Sequence, residues 1–141
     1  MTKKRRDFML NVVLPFSDIN ESNFKSVGNK ALNLSLLSRE EFKVPYGFVV
    51  TTESYEKFIF DNNFKEKISE LLKSTKFDYK KSVVATSKNI QGLLLSGNID
   101  KIIRDEIEKT LKENKNVKLW AVRSSALAED LEEASFAGQQ D

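Results

Sequence analysis

The sequence contains no cysteine and no histidine, and these two absences exclude several kinds of site. Without cysteine no disulfide can form, so nothing indicates a secreted, disulfide-stabilised scaffold. Zinc sites rely mainly on cysteine and histidine ligands, so no zinc site is expected. The lack of histidine also excludes the Ser-His and Cys-His pairs that activate a nucleophile in many hydrolases. Any Mg²⁺ would have to be held by carboxylates and by phosphate oxygens of a substrate.

A charge excess of one sign and long apolar runs are missing too. The chain has 23 Lys and Arg against 21 Asp and Glu, so its net charge of +2 gives no general reason to expect a nucleic-acid or membrane partner. No run approaches the roughly 20 apolar residues of a membrane span. The basic start is only faintly similar to a signal peptide, because its apolar run is short, is interrupted by Asn11 and lacks a cleavage site. We therefore predict a basic, flexible tail over residues 1–10 and a cytoplasmic protein.

The remaining composition suits one soluble domain. Of the 141 residues 40% are hydrophobic, and ten are Phe, which is enough for an apolar core. Periodicity predicts strands at 12–14, 48–51 and 118–122. It also predicts helices with these apolar positions: Ala31, Leu34, Leu36 and Leu37; Tyr55, Phe58 and Ile59 after an N-cap at Thr52; Phe64, Ile68, Leu71 and Leu72; Val83, Ile90 and Leu94 before a stop at Gly97; and Ile99, Ile102, Ile103, Ile107 and Leu111. The predicted class is α+β.

Three stretches could carry chemistry, and the first is Gly28-Asn29-Lys30. Gly28 ends a polar loop, and Lys30 falls in the first turn of the helix that follows. Backbone N–H groups are exposed at a helix start, so a lysine there is well placed to bind an anion. The alternative is an ordinary solvated lysine.

The second stretch is Arg123 with Ser124 and Ser125, directly after the predicted strand 118–122. Ligands of α/β sheets favour the carboxyl ends of strands, and the planar guanidinium fits phosphate oxygens. The alternative is a structural arginine paired with Glu129 or Asp130.

The third stretch is the small-residue loop 134–140. Glycine and small side chains allow the backbone to approach a ligand and present N–H groups to it, although a plain surface turn would look the same. The acidic residues just before it are expected to form a solvated face rather than a metal site; they are Glu129, Asp130, Glu132 and Glu133.

Together, three segments resemble the N-terminal part of the pyruvate, phosphate dikinase and phosphoenolpyruvate synthase family, which includes rifamycin phosphotransferases. In chain order they read VGNKALNLSLL, VPYGFVVTTESYEKF and WAVRSSALAEDLEEASFAGQQD. The resemblance runs from about Val27 to Asp141, and between about Phe60 and Asn116 it rests on helical character alone. The family usually has glycines where this sequence has Asn29 and Ala31. It also usually has a small or polar residue in place of Leu127, and often a proline in place of Glu132.

The resemblance implies an ATP-grasp nucleotide-binding unit, of which residues 11–141 would be an incomplete N-terminal subdomain. It implies that such enzymes move the β-phosphate of ATP to a histidine on a separate domain, with ATP and Mg²⁺ as cofactors. It also implies contacts to the ATP phosphates from Lys30 and Arg123, and from a covering loop that comprises Ser135, Phe136, Ala137, Gly138 and Gln139. No catalytic residue and no metal ligand is assigned within the chain.

Two functional hypotheses follow from this resemblance. In the first, the chain is the ATP-binding portion of such a phosphotransferase, and the residues that complete the site and hold Mg²⁺ are supplied by the missing remainder of the enzyme, in cis or in trans. The chain alone would then be inactive. In the second, it is a non-catalytic half-domain that acts as a binding or assembly module with a partner chain. A nucleic-acid-binding module built on the basic tail has little support, because the tail carries only four positive side chains.

Overall fold

The computed structural model describes residues 11–40 and 42–124, which form an α+β fold as predicted. Two short strands, β1 (Val13–Pro15) and β2 (Phe48–Val50), accompany five α-helices in this part of the chain. The helices are α1 (Phe24–Arg39), α2 (Thr52–Asp61), α3 (Phe64–Lys73), α4 (Lys80–Leu95) and α5 (Lys101–Glu113). The predicted tail over residues 1–10 lies outside the described residues. None of the helices described is long and apolar enough to cross a membrane.

The two strands pair antiparallel, with Leu14 opposite Val49 at the centre of the register. Backbone hydrogen bonds extend the pairing at both ends, from Phe16 N to Gly47 O at 3.0 Å and from Thr51 N to Val12 O at 3.1 Å. A side chain at Gly47 would displace the Phe16 ring, since an added Cβ would lie 2.3 Å from it. Both strands were predicted to within one or two residues at each end.

Helix α1 packs its buried face against the residues that follow β1. Val27, Ala31 and Ser35 form that face at a spacing of four residues, and together with Ile19 they are almost completely buried. Leu36 and Leu37 were predicted on the apolar face but are exposed, because the buried face is narrower than the leucine pattern suggested. The hydroxyl of Ser35 donates to the Ile19 carbonyl oxygen at 2.8 Å, and the guanidinium of Arg39 donates to the same oxygen.

The N-cap of α2 is Thr51 rather than Thr52. The Thr51 side chain accepts a hydrogen bond from the Ser54 amide, while the hydroxyl of Thr52 is used elsewhere. Tyr55, predicted on the apolar face of this helix, is 56% exposed, and Ser54 is the buried residue instead. The Ser54 hydroxyl donates to the Val12 carbonyl oxygen, next to β1, at 3.2 Å. The Ser54 side of α2 therefore faces the sheet, and Tyr55 faces away from it.

Helices α2 to α5 form the second part of the fold. Phe58 and Phe64 meet edge to face with ring centroids 5.7 Å apart. The side chain of Asn62 donates to the Asn98 carbonyl oxygen at 3.0 Å and accepts from the Asn98 amide at 2.8 Å. This pair of bonds ties the end of α2 to the connection between α4 and α5.

The predicted strand at 118–122 is not formed. No backbone hydrogen bond joins these residues to another described residue, and Leu119 and Val122 are 90% and 98% exposed. Trp120 holds the segment in place by packing edge to face on Tyr46 and Phe48, with ring centroids 6.0 and 5.4 Å away. The segment is apolar, as the pattern indicated, but a strand also needs a paired neighbour, and among the described residues only β1 and β2 pair with each other.

Candidate functional site

The structure brings the Lys30 stretch and the Arg123 stretch together. The ammonium of Lys30 donates to the Ser124 carbonyl oxygen at 3.0 Å, although the two residues are 94 positions apart in the sequence. Arg123 directly precedes Ser124 and is exposed, while Lys30 is half-buried. Arg123 does not stand at the end of a strand as predicted. It stands at the end of the extended segment 118–122, and it reaches the neighbourhood of Lys30 nonetheless.

Lys30 lies in the first turn of a helical run, as predicted, because α1 is broken at Gly28. Gly28 has φ 76° and ψ 168°, a backbone conformation that is essentially restricted to glycine. Helical turns precede the break from Phe24 onward, a feature the sequence had not indicated. Lys30 therefore belongs to the first turn after the break, where the positive end of the helix dipole favours an anion.

The stretch before Gly28 is held from the side by α2. The hydroxyl of Ser26 donates to a carboxylate oxygen of Glu53 at 2.6 Å, and the hydroxyl of Thr52 donates to the Lys25 carbonyl oxygen at 2.9 Å. Burial by itself raises the pKa of Glu53, but hydrogen bonds from Ser26, from its own backbone amide and from the Thr51 and Thr52 side chains outweigh burial and lower it. Glu53 is therefore ionised at neutral pH and accepts these bonds as a carboxylate.

Segment 118–124 is fixed at its two ends by different means. Trp120 rests on Tyr46 and on Phe48 of β2, and the Ser124 carbonyl oxygen meets Lys30. Because β2 leads directly into α2, the same stretch of chain supports Trp120 through Phe48 and Ser26 through Glu53. Residues 46–53 thus form a common support for the two basic side chains.

The arrangement is suited to binding a polyphosphate. It places a lysine at a helix start in contact with the residue that follows an exposed arginine, and lysine and arginine are the side chains that neutralise phosphate oxygens. No group of three or more Asp and Glu within residues 11–40 and 42–124 is placed to hold a metal ion.

Several predicted residues lie outside the described part of the chain. These are Ser125, the possible partners of Arg123 at Glu129 and Asp130, and the covering loop with Ser135, Phe136, Ala137, Gly138 and Gln139. Their assignment to the site stays a prediction.

A groove of about 370 Å³ near the end of α5 is separate from this site and shares no residue with it. Its lining mixes both signs of charge and so gives no net attraction for a phosphate; it consists of Asp105, Glu108, Lys109, Lys112, Glu113 and Lys115.

Comparison with known families settles the relationship. Residues 24–141 match the family described as the pyruvate phosphate dikinase, AMP/ATP-binding domain. The chain belongs to this family. The match begins at the first residue of α1 and includes both Lys30 and Arg123, so the pyruvate phosphate dikinase AMP/ATP-binding domain contains the whole candidate site.

Relatives of the pyruvate phosphate dikinase type cover nearly all of this chain. It is 34% identical over 140 residues to a probable phosphoenolpyruvate synthase of Methanothermobacter thermautotrophicus, which is 96% of this chain and 20% of the relative. It is 37% identical over 134 residues to a rifampicin phosphotransferase of Bacillus cereus, covering 94% of this chain and 15% of the relative. A phosphoenolpyruvate synthase of Deinococcus radiodurans is 32% identical over 136 residues, covering 94% and 17%. The chain thus spans a fifth or less of the length of these relatives.

Sequence reasoning missed two contributors to the site. Neither Glu53 nor Ser26 was predicted as a site residue. Their hydrogen bond joins positions 27 residues apart, and no periodicity within one element signals such a contact. The pairing of Trp120 with Tyr46 and Phe48 was equally hidden, although all three lie inside the segments that carried the family resemblance.

Proposed function

We propose that the chain is the ATP-binding portion of a phosphotransferase of the phosphoenolpyruvate synthase and pyruvate, phosphate dikinase type, built on an ATP-grasp unit. The observation that carries this proposal is the contact from Lys30 to the Ser124 carbonyl oxygen, which joins the Lys30 stretch to the residue that directly follows Arg123. Membership in an AMP/ATP-binding domain family supports it. The protein would act in the cytoplasm, without nucleic-acid or membrane partners.

In this proposal Lys30 and Arg123 bind and orient the ATP phosphates. Catalysis of phosphoryl transfer depends chiefly on positioning the phosphates and on neutralising their charge, and an ammonium and a guanidinium can do both. The loop from Ser135 to Gln139 would close over the phosphates and exclude water. Mg²⁺ would neutralise the phosphate oxygens, held by the nucleotide and by residues outside those described here.

The proposal assigns the later steps to other parts of the enzyme. The chain contains no histidine, so the histidine that receives the β-phosphate would be on a domain supplied in cis or in trans. The acceptor substrate would be chosen there as well. This chain would bind the nucleotide and position its phosphates.

Titration with ATP and Mg²⁺ tests the assignment of both basic residues. Lys30→Met and Arg123→Ala should each weaken ATP binding by roughly tenfold to a hundredfold, because each removes a charged hydrogen-bond donor to phosphate. Arg104→Ala on α5 is the control, since it removes an exposed positive charge away from the site and should leave the affinity unchanged. Equal affinities for the wild type, Lys30→Met and Arg123→Ala would contradict the proposal.

A second candidate function is a non-catalytic binding or assembly module. The exposed apolar side chains of Leu119 and Val122 favour it. An extended segment with apolar side chains on both faces can bury them against a partner. A chain that fails to bind ATP but associates strongly with itself or with a partner would support this second function over the first.

A further inference from the structure

Lys30 lies just after the break in α1 at Gly28, so the helical turns before the break do not continue into it. The break at Gly28 separates Lys30 from the helical residues before it, so the direction of the lysine is set by whatever fixes both sides of that turn. On the following side, Ala31 and Ser35 are buried against the core. On the preceding side, Val27 is buried in the same core, and the contacts to Lys25 and Ser26 come from α2.

The start of α2 is itself firmly attached to the sheet. The hydroxyl of Thr51 donates to the Asn11 carbonyl oxygen at 2.6 Å, and the hydroxyl of Ser54 donates to the Val12 carbonyl oxygen at 3.2 Å. Both Thr51 and Ser54 are buried. Glu53 stands between these two anchored residues, so its carboxylate is a fixed acceptor rather than a freely moving surface group.

From these contacts we infer that Glu53 is a positioning residue for Lys30: its carboxylate holds Ser26 and thereby fixes the Gly28 turn that aims the lysine at the nucleotide phosphates. This inference rests on the proposed function of Lys30. Glu53 does not touch the phosphates in this scheme. A carboxylate is well suited to the role because hydrogen bonds to charged groups are stronger than those between neutral groups.

Three variants on α2 isolate this role. Glu53→Leu removes the acceptor at similar size, and Glu53→Gln keeps an oxygen acceptor for Ser26. Glu56→Leu is the matched control, an exposed glutamate on the same helix. Each is made in the wild-type chain and in the Lys30→Met chain. Amide hydrogen exchange at residues 27–30 is measured without nucleotide, and affinity is measured by titration with ATP and Mg²⁺.

Glu53→Leu should speed amide exchange at residues 27–30 and weaken ATP binding, each by roughly tenfold. Glu53→Gln should restore binding to within about threefold of the wild type, and Glu56→Leu should match the wild type. In the Lys30→Met chain, Glu53→Leu should cause no further loss, because its effect passes through the lysine. Should Glu53→Leu fail to fold, Ser26→Ala removes the donor without altering α2 and should give the same result.

The two hypotheses fail in different ways. If Lys30→Met weakens ATP binding but Glu53→Leu behaves like Glu56→Leu, the positioning role is wrong and the proposed function stands. A further loss from Glu53→Leu in the Lys30→Met chain would also overturn the role, because it would show an effect independent of the lysine. If Lys30→Met binds ATP as well as the wild type, the proposed function itself is wrong.

Discussion

Gly28 connects the conformation of a single residue with the direction of Lys30. Its φ of 76° and ψ of 168° lie in a region that a side chain makes costly, and the neighbouring Val27 and Ala31 are buried and cannot shift to relieve strain. The glycine is thus required by the break in α1, and the break is what gives Lys30 a helix start of its own.

Replacing Gly28 by alanine should lower the free energy of unfolding by about 1 to 3 kcal/mol. Gly92 provides the control, since it lies inside α4 with no atom near an added Cβ, and Gly92→Ala should raise stability by about 0.5 to 1 kcal/mol. Thermal and urea denaturation measure both. A Gly28→Ala chain as stable as the wild type would mean that the turn at residue 28 is not formed in solution.

At the scale of elements, α5 depends on one residue at its start. Asp100 accepts a hydrogen bond from the Ile102 amide at 2.8 Å and forms an ion pair with Lys57 of α2 at 3.3 Å. The bond from Ile102 lowers the pKa of Asp100 below its ordinary 3.8, burial opposes this more weakly, and Lys57 adds to the lowering. One carboxylate thus both caps a helix and attaches it to another.

Asp100→Ala should destabilise the fold by about 1 kcal/mol through loss of the cap, and Asp100→Asn should cost less because asparagine also caps helices. Since the folded-state pKa is lowered, the charge of Asp100 contributes fully above pH 3.8 and is lost as the pH falls through that lowered value. The difference between wild type and Asp100→Ala should therefore shrink in acid.

Urea denaturation at neutral and acidic pH measures this difference. Asp105→Ala serves as the control because Asp105 forms only an exposed ion pair with Lys101 in the same helix. A loss at Asp105 equal to that at Asp100 would argue against the cap.

The elements differ in how far the sequence could predict them. Helices α3 to α5 and the two strands follow from local periodicity and turn residues, so their positions were predicted to within a few residues. The segment 118–122 was predicted as a strand from an equally apolar pattern and is not one, because pairing depends on a neighbour that local pattern does not reveal. The residues of the candidate site also differ in whether the sequence could predict them. Lys30 at a helix start is a local property and was predicted, whereas the contact from Ser26 to Glu53 joins separate elements and was not.

At the scale of the whole chain, apolar side chains of segment 118–122 are uncovered. Leu119 and Val122 are almost fully exposed on either side of Trp120, which packs edge to face on Tyr46 and Phe48. Exposed apolar side chains that lie together favour association. If the chain acts as proposed, this surface would contact the remainder of the enzyme; the chain matches a fifth or less of each relative.

Sedimentation velocity should therefore show a sedimentation coefficient that rises with the concentration of the wild-type chain. The double variant Leu119→Ser, Val122→Ser should lose most of this dependence. Leu95→Ser, which alters an equally exposed leucine at the end of α4, should keep it. A wild-type chain that remains monomeric over a hundredfold range of concentration would contradict this prediction.

The Ile19 carbonyl oxygen, which accepts from both Ser35 and Arg39, limits how α1 can move. With two donors on one buried acceptor, the far half of the helix resists rotation about its own axis. Lys30 belongs to the same helical segment, after the break at Gly28, so the two bonds also limit how far its backbone can turn. Residues 17–20, which precede Lys30 by ten or more positions, thereby help to hold the lysine in place.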